Sequence, residues 1–164
     1  MCEKMKKALS PEQALGRAAT LCSGSEHCVS QVQEKLASWG ISDEDAARIM
    51  KRLEEEKYVD NRRYSRAYCH DKFYYNHWGR VKIGQMLRHL CIGAEDIAEG
   101  LATIPDLDYE QTIIDLLRQK NRSLRDADAY QRKGKLVRHL LSRGFEMHLV
   151  LGAVDAILGD SDFE

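Results

Sequence analysis

An internal repeat constrains the fold of this chain more than any other feature of its sequence. Three segments align without gaps, and their central leucines, Leu36, Leu87 and Leu140, lie 51 and 53 residues apart. Downstream of each leucine, apolar residues recur at i, i+4 and i+7, which places them on one face of a helix. These residues are Ala46, Met50, Leu53, Ile97, Leu101, Ile104, Val150, Val154 and Ile157. We therefore predict an all-α fold of three tandem three-helix repeats, helix-turn-helix-like, forming an elongated, curved array.

Helix start and stop signals set the limits of the predicted units. Ser10, Pro11 and Gln13 form a capping-box sequence, and Pro105 ends a later helix. Gly40 and Gly144 suit the left-handed end of a helix, whereas the middle copy has Cys91 there, which leaves the form of that turn open. The predicted division is a flexible N-terminal tail (1–9), repeat unit 1 (10–58), repeat unit 2 (59–105), repeat unit 3 (106–158) and an acidic tail (159–164).

Several functional classes find no support in the sequence. No apolar run approaches the roughly 18 residues that cross a bilayer, and the N-terminus lacks a signal-peptide core, so we predict a cytoplasmic protein. Five cysteines without a CxxC pair indicate reduced thiols. Cys69-His70 with His77, or His89 with Cys91, is too loosely spaced to predict a metal site. We find no phosphate loop or catalytic constellation, and predict no enzymatic activity, no cofactor and no metal.

The charge is strongly segregated although the net charge is only −1. Residues 61–90 carry +6 and residues 116–145 carry +7, whereas residues 91–115 carry −7 and residues 146–164 carry −5. The first two helices of units 2 and 3 are thus basic, and their third helices are acidic. Local fields of this kind, rather than the net charge, govern association with charged partners.

Two cations recur at matched positions of the repeat. Arg80 and Lys82 of unit 2 align with Lys133 and Lys135 of unit 3, whereas unit 1 is neutral there. Either these residues form a solvated helix face or they face phosphates or an acidic partner. The candidate contact residues are Arg62, Arg63, Arg66, Lys72, Arg80, Lys82, Arg88, Lys133, Lys135 and Arg138. Tyr74, Tyr75 and Trp78 either stack on bases or form the joint between units.

The central block resembles the RecX family of regulatory proteins. Val59–Tyr68 reads VDNRRYSRAY, and DKFYYNHWGRVKIGQML follows it. This is similar to the family pattern of an acidic turn, an Arg-aromatic segment and a Gly-x-x-basic-apolar helix start. The L-x-x-x-G-apolar turns after Leu36 and Leu140 match as well, so the resemblance covers nearly the whole chain. Cys91 departs from the usual glycine. The opening of unit 1 lacks the Arg-rich segment, which puts a nucleic-acid contact by that unit in doubt.

The resemblance implies a cytoplasmic modulator of the recombinase RecA, and we further predict a monomer with no membrane contact. Members bind along the RecA–DNA filament and limit its extension, and a curved array would suit such a groove. Two other classes remain open. An independent nucleic-acid-binding protein would use helix-turn-helix units, but the candidate recognition helices begin with acidic residues at Asp43, Glu95 and Glu146, which phosphate repels. A helical-repeat adaptor for another protein is the third class.

Overall fold

A computed structural model describes residues 7–125 and 128–160, and all regular secondary structure in these ranges is helical. The all-α prediction is therefore confirmed. The helices in the described residues are α1 (Pro11–Gly24), α2 (Val29–Ser38), α3 (Asp43–Glu55), α4 (Asn61–Tyr74), α5 (Arg80–His89), α6 (Ala94–Ala102), α7 (Asp106–Ser123), α8 (Ala129–Ser142) and α9 (Met147–Asp160). Three helices fall in each predicted repeat.

Side chains that satisfy free backbone amides fix several helix starts. Ser10 and Gln13 form the predicted capping box at the start of α1, with Ser10 Oγ accepting from the Gln13 amide at 3.2 Å. The Ser42 side chain caps α3, and the Asp128 carboxylate caps α8 by accepting from the Gln131 amide at 2.8 Å. The predicted start of α1 is therefore correct, because the capping signal is local.

The described chain forms two compact units. The N-terminal unit comprises the residues up to Tyr64 together with Leu90–Ile92, and the C-terminal unit comprises Ser65–His89 and the residues from Gly93 onward. The N-terminal unit packs α1, α2 and α3 around a buried apolar core that includes Ala18, Val32 and Leu36. The C-terminal unit thus holds most of the second predicted repeat and all of the third. The central leucines of all three repeats are fully buried.

The turn after the second helix of each repeat has the same backbone conformation. Gly40, Cys91 and Gly144 occupy equivalent positions, and their φ angles are 77°, 59° and 88°. The middle turn therefore keeps the left-handed conformation although its residue carries a side chain. Such a φ is unfavourable for a residue with a Cβ atom because that atom approaches the following carbonyl oxygen.

Replacing Cys91 by glycine should stabilise the protein. Glycine removes the Cβ strain at positive φ, and we expect a gain of about 1 kcal/mol in the free energy of unfolding. Chemical denaturation at equilibrium measures it. Cys91→Ala is the matched control, since alanine retains the Cβ atom and should leave stability nearly unchanged. A loss of stability in Cys91→Gly would contradict this explanation of the turn.

The chain ends differ in part from the prediction. α9 continues to Asp160, so Gly159 and Asp160 belong to the helix and not to the acidic tail. Gly159 does not end the helix because it lacks the left-handed φ of Gly40 and Gly144. The remaining tail residues, 161–164, and residues 1–6 of the N-terminal tail lie outside the described residues, as do residues 126 and 127.

Candidate partner and nucleic-acid interface

The first turn of α5 is capped by parts of the C-terminal unit that are distant in sequence. The Gly79 amide donates to the Arg143 carbonyl at 2.8 Å, and the Val81 amide donates to the Gly144 carbonyl at 3.0 Å. The Arg80 amide donates to the Tyr109 hydroxyl at 3.0 Å. These amides would otherwise be unsatisfied at a helix start. The start of α5 is therefore fixed by α7 and by the turn between α8 and α9.

Tyr109 lies at the centre of this arrangement. It is buried, and its ring lies 5.6 Å from that of Phe73 and 5.2 Å from that of Phe145 between centroids. Its hydroxyl donates to Glu146 Oε2 at 2.6 Å. Burial and then the bond to the Glu146 carboxylate raise the pKa of Tyr109 above its usual range. We call Phe73, Tyr109 and Phe145 the aromatic joint, and it connects α4, α7 and the start of α9.

The matched cations divide into two kinds. The Arg80 guanidinium donates to Asp106 Oδ1 at 2.8 Å and lies 4.1 Å from the Tyr109 ring centroid, and its side chain is only 23% exposed. Lys133 Nζ donates to Asp155 Oδ1 at 2.6 Å. By contrast, Lys82 and Lys135 have no carboxylate partner among the described residues. The second cation of each pair is thus the one available to an external anion.

Lys82 belongs to a cationic cluster around Trp78. Lys82 Nζ lies 4.2 Å and Lys72 Nζ 4.8 Å from the centroid of the half-buried Trp78 ring. Both distances are those of cation–π contacts. The Arg143 guanidinium reaches the same helix end by donating to the Asn76 carbonyl at 3.2 Å. We call Lys72, Trp78, Lys82 and Arg143 the Trp78 patch.

The outer surface of α8 forms a second basic and aromatic surface. Tyr130 is 88% exposed, and Lys135 and Arg138 are exposed near it on the same helix. The Arg138 guanidinium folds over Gly134, with Nη1 at 3.5 Å from the position that a Cβ atom would take there. Tyr130, Gln131, Lys135 and Arg138 line one shallow groove, which we call the α8 face.

Other predicted contact residues make bonds inside the protein. Arg63 donates to Glu26 Oε1 at 2.7 Å and to the Lys57 carbonyl at 3.0 Å. Arg66 pairs with Glu99 at 3.1 Å. These guanidinium groups therefore support the fold of the unit in which they lie. Arg62 is exposed and also makes an interaction within the protein.

The remaining predicted residues differ in exposure. Tyr74 donates its hydroxyl to Asp108 Oδ2 at 2.6 Å, and this bond raises the pKa of Tyr74 above its usual value. Tyr75, the next residue in the chain, is 74% exposed, so its ring is available to stack on a base. Arg88 is exposed, with Nη1 lying 3.5 Å from the position of a Cβ atom on Gly84.

The sequence analysis did not single out Arg143 or Tyr130. Arg143 joins the other residues of the Trp78 patch only through folding, and no local pattern in the sequence indicates that. The positive potential continues to His139, whose pKa is lowered by partial burial and by the charges of Arg143 and Lys120. Tyr130 could have been noticed as one of two aromatic residues in the basic segment 116–145, the other being Phe145.

Within residues 7–125 and 128–160, no group of three or more His, Cys, Asp or Glu side chains could hold a metal ion. Cys69, which the sequence placed in a weak cluster with His70, is buried, and burial raises the pKa of its thiol to about 11. A thiol with such a pKa is a poor nucleophile at neutral pH. None of the described helices is long and apolar enough to cross a membrane.

Comparison with known proteins identifies related sequences and folds. Family models described as the second and third three-helix domains of RecX match residues 60–101 and 108–154, together more than half of the chain. The regulatory protein RecX of Leuconostoc mesenteroides is 27% identical over 158 residues, covering 93% of this chain and 57% of that protein. RecX of Enterococcus faecalis is 26% identical over 170 residues, covering 100% and 62%. The chain thus spans about 57 to 62% of the length of these two curated relatives.

Other relatives are closer in length, and solved structures share the fold. RecX of Prosthecochloris aestuarii is 26% identical over 146 residues, which cover 89% of this chain and 94% of that protein. The crystal structure of RecX from Lactobacillus salivarius matches with a TM-score of 0.80 at 19% identity, covering 94% of this chain and 97% of that one. A second RecX crystal structure matches with a TM-score of 0.75 at 21% identity, covering 85% and 70%. These structural matches establish the fold alone.

Proposed function

This chain belongs to the RecX family of regulatory proteins, and from that premise we propose that it binds the filament which the recombinase RecA forms on DNA and limits the extension of that filament. The proposed protein is a non-enzymatic regulator of homologous recombination and DNA repair that acts in the cytoplasm. The arrangement that best supports the proposal is the Trp78 patch together with the α8 face. Both lie in the C-terminal unit, which contains most of the residues that the two family models match.

The chemistry of these two surfaces suits a partner that displays phosphates. Lys72 and Lys82 place two cations against the Trp78 ring, and Arg143 binds the Asn76 carbonyl two residues before it. Cations of this kind bind nucleic acid by displacing condensed counterions. The exposed rings of Tyr75 and Tyr130 can stack on unpaired bases. DNA inside a recombinase filament offers both phosphates and bases, so we assign the DNA contact to these residues.

The acidic helices complement this assignment. Exposed carboxylates such as Glu95 at the start of α6 lie in the segment of charge −7. Such carboxylates repel DNA but can pair with basic groups on a protein partner. A filament provides protein and phosphate together, whereas naked DNA provides phosphate alone. The charge segregation therefore favours a filament over DNA by itself.

Two alternatives make different predictions. An independent nucleic-acid-binding protein would bind naked DNA as tightly as the filament, and a helical-repeat adaptor would bind neither. Co-sedimentation of the protein with RecA filaments on single-stranded DNA, with the same DNA alone, and with RecA alone separates the three classes. We expect binding to the filament to be at least about tenfold tighter than to naked DNA, a difference of about 1.4 kcal/mol. Equal affinity for filament and naked DNA would reject the proposal.

A further inference from the structure

An apolar groove runs between α7 and α9 in the C-terminal unit. Ile114, Leu149 and Ala153 are half-buried in its lining, and Gly152 leaves open space where a side chain would stand. Leu107 lies on the same face of α7, seven residues before Ile114, and is 80% exposed. Polar and charged residues rim the groove: Glu110 and Arg118 on α7, and His148 and Asp160 on α9. Apolar surface of this kind usually marks an interface.

The other repeats are polar at the positions that line this groove. Leu149, Gly152 and Ala156 of repeat 3 are equivalent to Asp45, Arg48 and Arg52 of repeat 1 and to Asp96, Glu99 and Thr103 of repeat 2. In repeat 1, Arg48 pairs with Asp45, and in repeat 2, Glu99 pairs with Arg66. Five of these six equivalents are charged. Repeat 1 has a groove at the equivalent place, lined by Asp45, Arg48 and Arg52. The apolar lining, and not the groove itself, is thus specific to the third repeat.

We propose that the groove between α7 and α9 binds a second copy of this chain, with the two α7 helices antiparallel across a twofold axis at Ile114. The rim charges of α7 carry this assignment. Glu110 and Arg118 lie four residues before and four residues after Ile114, on one helical face. A twofold axis at Ile114 places Glu110 of each copy opposite Arg118 of the other. The same operation brings the Ile114 side chains of the two copies together at the axis, with Leu107 lying seven residues, about 10 Å, away from it.

Self-complementarity is what distinguishes a second copy from a different partner. An isologous interface is self-complementary, so opposite charges at equal distances on either side of its axis pair with each other. Neither Glu110 nor Arg118 forms an ion pair within the described residues, so both are available. A partner that is uniformly acidic or uniformly basic would face one repelling charge on α7. The inference differs from the monomer predicted from the sequence, and it does not depend on the proposed recombinase function.

Sedimentation velocity across a range of concentrations tests the proposal. We expect the wild type to form a dimer with a dissociation constant on the order of 10 µM, as suits a small interface. Glu110→Arg and Arg118→Glu should each weaken dimerisation by about tenfold or more, because each change creates two like-charge pairs per dimer. The double variant E110R/R118E exchanges the charges and should restore wild-type dimerisation.

Two further variants control the test. Gly152→Glu introduces in the groove the residue type that repeat 2 has at the equivalent position, and should give a monomer with unchanged helicity by circular dichroism. Glu12→Arg changes the equivalent of Glu110 in repeat 1 and should leave dimerisation unaltered. A wild type that stays monomeric at about ten times that dissociation constant would overturn the proposal. So would a double variant as weak as its single parents, since the antiparallel pairing of α7 requires the rescue.

Discussion

Replacing Tyr109 by alanine is expected to destabilise the C-terminal unit by about 4 kcal/mol, the effect typical of removing a buried aromatic ring. The ring is buried between Phe73 and Phe145, and its loss leaves a cavity at the centre of the aromatic joint. The same change removes the acceptor for the Arg80 amide and the ring over which the Arg80 guanidinium lies. Equilibrium denaturation followed by circular dichroism measures the loss.

Tyr109→Phe separates the contribution of the ring to stability from that of the hydroxyl group. Phenylalanine fills the joint but neither accepts from the Arg80 amide nor donates to Glu146, so we expect a smaller loss of about 1 to 2 kcal/mol. If Tyr109→Ala and Tyr109→Phe cost the same, the hydroxyl bonds and not the packing would dominate. A cost below about 1 kcal/mol for Tyr109→Ala would show that the joint does not hold α7 to α4 and to the start of α9.

Replacing Gly79 by alanine is the second change with a large expected effect, a loss of about 3 kcal/mol in stability. A Cβ atom on Gly79 would lie 2.2 Å from the Gly144 carbonyl oxygen and 2.4 Å from the Phe145 amide nitrogen. Both are backbone atoms, so the segments must move apart. That movement breaks the hydrogen bonds that the Gly79 and Val81 amides donate to the turn before α9. Thermal and chemical denaturation should both report the loss.

Gly16→Ala is the matched control for Gly79→Ala. Gly16 lies inside α1, and nothing stands within 4 Å of a Cβ atom there. Alanine is the better helix former, so this variant should gain about 0.5 to 1 kcal/mol. Opposite signs for the two glycine variants would establish that close backbone approach, and not glycine in general, makes Gly79 necessary. A neutral Gly79→Ala would contradict the described contact.

Local patterns in the sequence predicted the repeat and the start of α1 because these depend on nearby residues. The buried leucines Leu36, Leu87 and Leu140 and the cap at Ser10 are of this kind. Cysteine disfavours a left-handed φ, so the residue type at position 91 does not by itself predict the conformation of this turn. It follows from the equivalence of Cys91 with Gly40 and Gly144, since the three turns share one conformation.

The candidate site was less predictable because long-range contacts decide which cations are available. Nothing in the sequence distinguishes Arg80 from Lys82 as a binding group for an external anion. Only the fold shows that Arg80 binds Asp106, 26 residues later, while Lys82 faces Trp78. Likewise, nothing near Arg143 in the chain indicates that it reaches Asn76. Residue type and repeat register therefore identified a basic region, and the tertiary contacts show which of its cations are available to a partner.

The affinity of a Lys82→Glu, Lys135→Glu variant for RecA filaments on single-stranded DNA tests the central claim most directly. These are the two matched cations without a carboxylate partner in the described chain. We predict that binding weakens by about tenfold or more, that helicity and melting temperature stay close to wild type, and that the salt slope becomes shallower by about 0.7 per lost phosphate contact. The control variant Lys35→Glu, Lys51→Glu changes the net charge equally on exposed lysines of the N-terminal unit and should bind as the wild type does. Filament binding by the Lys82→Glu, Lys135→Glu variant at wild-type affinity would contradict the account.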